Sequence, residues 1–211
     1  MSKAKKQTAI PAGIPAPTRR IVEKRLITPI GWNPRTIDIH SPKYLELLSS
    51  IREVGVLQPM WVRPDQLRPG AFQVIAGERR YAALMDSPWP TGPVDDFGAI
   101  DDRQAYALTC IENAHRDDLT PLEQGKQVHH ALEIYENDAG AVAALFGVSE
   151  KWVHLRARLT NLSPLWRETL ADPKHEVYGL GIGHLELIAR FAHDIQNDIL
   201  SNHPYVLDGS V

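Results

Sequence analysis

The sequence predicts an α+β chain, a small α/β domain followed by an all-α domain containing a helix-turn-helix. Three observations carry this. Two short extended runs, Pro59-Met60-Trp61-Val62-Arg63 and Phe72-Gln73-Val74-Ile75, lie between segments with helical spacing. From about Leu119 to Asn202 the chain reads as almost wholly helical. Inside that half, Ala143, Gly147, Val148 and Ser149 have the spacing of a tight turn between two helices. The shift in character near residue 118 marks the domain boundary.

Residues 1–20 are rich in Lys, Ala and Pro and poor in bulky apolar side chains, so they read as a disordered basic tail, solubilising or partner-binding. Order is expected from about Ile21, with a short strand at 26–31 ended by the turn chemistry of Gly31-Trp32-Asn33-Pro34. Ser41 before Pro42 suits a helix start, Leu45, Leu48, Ile51 and Val54 follow at helical spacing, and Gly55 stops the helix. The two extended runs come next, joined by a Pro/Gly turn. The second ends on Gly77, and Glu78-Arg79-Arg80 opens a helix to about Met85.

Residues 86–100, rich in Pro, Gly and Asp, read as a loop with Val94 and Phe97 as its buried points. Residues 101–111 read as a helix or a helix-strand transition running up to Glu112-Asn113. Further on, Gly179-Leu180-Gly181-Ile182-Gly183-His184 lacks the preceding strand and third spacing of a nucleotide-binding glycine pattern. It reads as a loop ahead of a helix at 184–192, with His184 near the cap.

The net charge of −3 conceals an asymmetry. Residues 1–25 hold seven Lys/Arg against Glu23, and residues 95–138 hold eleven Asp/Glu against Arg103, Arg116 and Lys126. Distribution matters more than the sum, so nucleic acid is not excluded as a partner. The single Cys110 rules out an internal disulfide and suits a reducing cytoplasm. No apolar run approaches the roughly 20 residues that span a bilayer, and no apolar stretch follows Lys3, Lys5 and Lys6 to make a secretory signal.

In the helical half, Ala143 allows close helix approach, Gly147 makes the turn, Val148 tucks inward and Ser149 caps the next helix, with Trp152 one turn on. Val153 and Leu159 face the core. The exposed positions are then Ser149, Glu150, Lys151, His154 and Arg158, of which Lys151 and Arg158 suit guanine edges or phosphates and Ser149 suits either. Arg156 and Arg167 are placed at phosphates, which position a protein without reading sequence. The alternative is a generic helical hairpin with a glycine turn.

In the first half, Gln58, Pro59 and Arg63 surround a short strand, and Glu112, Asn113 and Arg116 fall within five residues. Backbone N–H groups at the Gly77-Glu78 helix start, with Arg79 and Arg80, form an anion cradle. Glu112 and Asn113 offer the hard oxygens that Mg²⁺ bridging phosphates prefers. Together they suggest a nucleoside triphosphate with its metal, without a Walker-type loop. The alternative is a surface ion-pair network of Arg79 or Arg80 with Glu112.

Ser50 to Pro64, Ile75 to Ala82, Ile111 to Glu123 and Ala143 to Val153, in that order, resemble the motifs of the ParB/Spo0J family, over roughly residues 25–192. The resemblance implies a ParB/sulfiredoxin-like N-terminal domain at 21–118 and a helical DNA-binding domain at 119–202, its helix-turn-helix at about 139–160. It further implies a partition protein, cytoplasmic and nucleoid-associated, that binds a palindromic parS-type site and closes as a DNA clamp on binding CTP and Mg²⁺. Slow CTP hydrolysis would reopen the clamp, with catalytic residues unassigned. Gly77, Glu78, Arg79 and Arg80 would hold the triphosphate, Glu112 and Asn113 would lie at metal and phosphates with Arg116 nearby, and Gln58, Pro59 and Arg63 would line the nucleoside side. The basic tail matches the contact for a ParA-type ATPase, and CTP would drive self-association of N-terminal domains.

The sequence departs from the family pattern at His115, where a glutamine is usual, and in the length of 86–100. The family's C-terminal dimerisation domain is absent, which suggests a truncated chain or a short member. Other readings are a transcriptional regulator or nucleoid-occlusion factor, a nuclease on the same fold, and a DNA-binding adaptor without nucleotide. A sulfiredoxin would need a cysteine where Glu78 stands.

Overall fold

A computed structural model describes residues 13–32, 37–113, 119–172, 175, 177 and 180–202. The chain divides into two units between Asp117 and Asp118. The first is built on five strands: β1 (Thr18–Glu23), β2 (Ile27–Pro29), β3 (Met60–Pro64), β4 (Phe72–Ala76) and β5 (Thr91–Asp96). They form one mixed sheet in the order β1-β5-β3-β4-β2. The central strands alternate between two cores, as a two-residue side-chain period requires. Met60, Val62 and Val74 pack with Tyr44, Leu48 and Ile51 of helix α1 (Pro42–Val54) and with Ala83 and Leu84 of α2 (Glu78–Met85). Trp61 and Ile75 pack instead with Phe97, Ile100 and with Ala105 and Leu108 of α3 (Asp102–Asn113).

Two expectations are corrected at the sheet edge. Thr91–Asp96 is a strand rather than a loop, parallel to β3 and antiparallel to β1. Its glycine, proline and two aspartates are poor strand formers, but Gly92, Val94 and Asp96 are buried in alternation, and the pairing with β3 starts at Val94, just past Pro93. Thr18-Arg19-Arg20, assigned to the disordered tail, belong to β1. Arg19 lies directly across the ladder from Asp95 and pairs with it, and Arg20 pairs with Asp96 at 3.0 Å. The basic start and the acidic stretch of the sequence are thus partners across one ladder. Residues 1–12 of that tail lie outside the described residues.

Helix α1 buries Tyr44, Leu48 and Ile51, while Leu45 and Val54 are half exposed, so its inward face is turned from the one expected. Ser41 precedes the helix, but its hydroxyl donates to Asp38 O at 2.7 Å and makes no cap bond. The Tyr44 hydroxyl donates to Asp86 Oδ2 at 3.0 Å. Burial, and then that bond, push the phenol up from 10 to about 12. An unfolded Tyr44 ionises near pH 10 whereas the folded one keeps its proton, so stability is intact below pH 10 and falls as pH rises toward 12. Tyr44→Phe is expected to cost about 1 kcal/mol at neutral pH and to flatten this alkaline loss, as read by urea melts across that window.

The second unit is helical among the described residues: α4 (Pro121–Ile134), α5 (Ala139–Phe146), α6 (Glu150–Arg158), α7 (Pro164–Thr169), α8 (Ile182–Ile188) and α9 (His193–Asn202), with a 3-10 turn at Leu159–Asn161. α4 opens with a capping box, Glu123 N to Thr120 Oγ1 at 3.3 Å and Thr120 N to Glu123 Oε2 at 2.7 Å. Leu159, Leu162, Trp166, Val177, Leu185 and Ile188 form the main core cluster. The helix expected at 184–192 starts at Ile182 and ends at Ile188, with Gly181 as its N-cap. No described helix is long and apolar enough to cross a membrane.

Candidate functional site

The opening of α2 is shaped by Gly77. Its φ of 97° lies in the left-handed region, which turns the chain sharply from β4 into the helix. A side chain there would also collide with Arg80, since a Cβ would sit 2.8 Å from Nη2 and 2.9 Å from Cζ. Arg80 is held over the glycine by bonds from Nη1 to Gln58 O at 3.1 Å and to Pro59 O, and Nη2 lies 3.9 Å from Glu112 Oε1. Arg79 reaches the other way, donating from Nη2 to Lys43 O of α1 at 3.0 Å. The two adjacent arginines therefore spread apart and tie α2 to α1 on one side and to the start of β3 on the other.

Between these elements lies a cavity of about 500 Å³. One wall is Gly77, Arg79 and Arg80 with Glu112 from the end of α3 and Gln58. The opposite wall is a stripe of α1 formed by Lys43, Glu46, Leu47 and Ser50. A small hollow of about 20 Å³ adjoins it, where Glu78, Thr109, Glu112 and Asn113 meet the Ile75-Ala76-Gly77 turn. The Thr109 hydroxyl donates to Ile75 O at 3.0 Å and pins α3 against β4, which brings the Glu112-Asn113 end of that helix to the arginines.

The cavity thus collects Gln58, Gly77, Arg79, Arg80 and Glu112, with Glu78 and Asn113 in the adjoining hollow. Pro59 contributes its carbonyl to Arg80. Arg63 does not join them. As an odd-numbered residue of β3 it follows Trp61 to the α3 face, where it is 4% exposed. There it pairs with Asp102 at 2.6 Å, donates to Gln73 Oε1 at 3.1 Å and lies 5.3 Å from the Trp32 ring centroid. Arg116 and His115 lie outside the described residues. Lys43, Glu46, Leu47 and Ser50 were missed, although their i, i+3, i+4, i+7 spacing on α1 defines a face.

Chemically the cavity presents Lys43, Arg79 and Arg80 against Glu46 and Glu112, with Gly77, the N-cap of α2, in its lining. That arrangement suits a polyanion of several phosphates. No described cluster of three or more His, Cys, Asp or Glu could hold a metal by itself. Glu112 and Asn113, which both line the small hollow, carry the hard oxygens that Mg²⁺ takes together with phosphates and water.

In the second unit, α5 and α6 are joined by Gly147, Val148 and Ser149. Gly147 adopts a left-handed turn, Val148 N–H returns to Ala143 O at 3.0 Å, and Ser149 Oγ accepts from Trp152 N at 3.2 Å. Val153 and Leu159 are buried. Ser149, Glu150, Lys151 and His154 are exposed and Arg158 is half-buried. Arg156, expected at DNA phosphates, turns inward: it pairs with Glu186 of α8 and donates to Gln124 Oε1 of α4 at 3.1 Å. Arg167 is exposed and donates to Leu162 O at 2.8 Å.

Residues 16–114 match the family described as the ParB N-terminal domain. The first unit belongs to the ParB N-terminal family. The wider chain is 30% identical to a probable chromosome-partitioning protein ParB of Xylella fastidiosa, over 88% of this chain and 57% of that protein. It is 33% identical to a nucleoid occlusion protein of Listeria monocytogenes, over 69% of this chain and 50% of that protein. The chain therefore spans about half the length of these ParB-type relatives. Among solved structures it is similar to the C-terminally truncated ParB of Caulobacter crescentus complexed to the centromeric parS site, with a TM-score of 0.52, 26% identity, and coverage of 86% of this chain and 91% of that one.

Proposed function

We propose that the chain is a ParB-type partition protein whose first unit binds CTP with Mg²⁺ and whose second unit binds a parS-type DNA palindrome. The observation that carries the nucleotide half is the convergence of the Gly77 helix start, Arg79, Arg80 and Glu112 on one cavity. The order of the sequence motifs and the ParB relatives support the rest. In this reading the cationic wall takes the triphosphate, Glu112 and Asn113 hold the metal that screens its charge, and Gln58 lies toward the nucleoside. Glu78, in the adjoining hollow, completes the turn. On the DNA side Ser149, Glu150, Lys151, His154 and Arg158 meet the duplex, with Lys151 and His154 exposed and able to donate to base edges.

Clamp closure by self-association of N-terminal domains, slow CTP hydrolysis and a ParA-type ATPase at the basic N-terminus complete the proposal. A nucleoid-occlusion role is the second reading, favoured by the similarity to the Listeria protein. Both use the same two sites, and the partner engaged after DNA binding separates them.

Equilibrium binding of all four NTPs, with and without a parS-type duplex and with and without EDTA, tests the nucleotide half. CTP is expected to bind at least tenfold more tightly than ATP or GTP and to lose most of that affinity when Mg²⁺ is removed. Equal binding of all four would overturn it.

A further inference from the structure

We propose that Arg156 is a positioning residue that aims α6 from behind and does not itself touch DNA. The inference rests on the DNA-binding reading above. Arg156 Nε donates to Gln124 Oε1 of α4 at 3.1 Å, and Nη1 donates to Glu186 Oε1 of α8. Its Cζ lies 4.8 Å from the Trp152 ring centroid, and Trp152 in turn lies 6.3 Å from Phe146 of α5. One guanidinium thus gathers α4, α5, α6 and α8.

Both partners of the Arg156–Glu186 pair are 13% exposed. A guanidinium stacked on an indole and paired at low exposure has used its planar fork, and withdrawing it leaves a poorly solvated carboxylate behind. The backbone is equally close. A Cβ at Gly125 of α4 would lie 2.9 Å from Arg156 O, so α4 and α6 touch along their main chains with no slack. Lys151 and His154, by contrast, are exposed. Base-edge contacts tolerate only small errors of helix angle, about 10–20°, whereas phosphate attraction is far less exacting. Loosening α6 should therefore erode site preference while sparing general DNA affinity.

The test compares Arg156→Lys, Arg156→Gln and Glu186→Gln in the full chain, with folding followed by thermal melts. Each is titrated at several salt concentrations on the duplex that the wild-type chain selects from a random-sequence library, and on a scrambled duplex. The expected result is a loss of preference of about tenfold or more in all three variants. Affinity for the scrambled duplex and its salt slope should stay unchanged, and lysine should fail to rescue. A phosphate contact behaves oppositely: Arg156→Gln would flatten the salt slope by about 0.9, weaken both duplexes alike and be rescued by lysine. That pattern overturns the inference. Glu186→Gln keeps the arginine on Gln124 and Trp152, so it decides the matter should the Arg156 variants fail to fold. Wild-type preference in that variant likewise overturns the inference. If the wild-type chain selects no duplex, the DNA-binding reading itself fails and this inference falls with it.

Discussion

Arg80→Ala is expected to lower CTP affinity by about two orders of magnitude. A charge-assisted bond to a phosphate in a partly desolvated cavity contributes about 2–3 kcal/mol, and every 1.4 kcal/mol is tenfold in Kd. Arg80 is already oriented by two carbonyls and by Glu112, so little side-chain entropy remains to be lost when the anion arrives. Stability should change less, because Gln58 is exposed and Pro59 half-buried, so water can replace the guanidinium at their carbonyls. Gly77→Ala is the companion test. It keeps the arginine but places a Cβ within 2.8 Å of its guanidinium at a φ of 97°, so CTP affinity should fall although no charge is removed. Isothermal titration of the two variants checks both. Wild-type affinity in Arg80→Ala would mean that the cavity does not hold the triphosphate.

Gln196→Leu should be among the damaging single changes in the second unit, costing about 3 kcal/mol or more. Gln196 is fully buried, and its amide is saturated. Oε1 accepts from Ser163 N at 2.8 Å, while Nε2 donates to Asn161 O at 3.0 Å and to Phe191 O at 2.9 Å. Leucine fills a similar volume but orphans one buried donor and loses the bonds to two carbonyls, at about 1–3 kcal/mol for each group left unsatisfied. Trp166 Nε1 donates to the Gln196 backbone carbonyl at 2.6 Å, so its fluorescence reports the same junction. Urea unfolding followed by that fluorescence gives the measurement. A loss below about 1 kcal/mol would show that the amide network is not what joins α9 to the 3-10 turn and to α7.

Helices α1, α2, α5 and α6 and strands β3 and β4 were legible in the sequence because their signals are local. A helical period, a proline at the first turn or a glycine at the stop needs only its neighbours in the chain. The grouping of Gly77, Arg79 and Arg80 on one cavity was legible for the same reason, since they share one turn. What escaped depended on partners far along the chain. Thr91–Asp96 is a strand because Thr18–Glu23 and Met60–Val62 pair with it, in defiance of its own composition. Arg63 looked like a ligand of the nucleoside side, and the alternation of β3 sent it to Asp102 and Trp32 instead.

The sequence by itself determined the chemistry available at the two proposed sites: a glycine before two arginines, a Glu-Asn pair, and a helical turn followed by Lys151 and His154. Only the tertiary structure decided which basic residues line a cavity and which are spent inside the fold. Arg79 and Arg80 frame a cavity, Arg63 closes a core and Arg156 braces a helix. The difference is electrostatic and steric. Arg63 is bonded to Asp102 at 2.6 Å and Arg156 to Glu186, whereas Arg80 lies 3.9 Å from Glu112 and lines the cavity, and that is settled by contacts between residues distant in the chain.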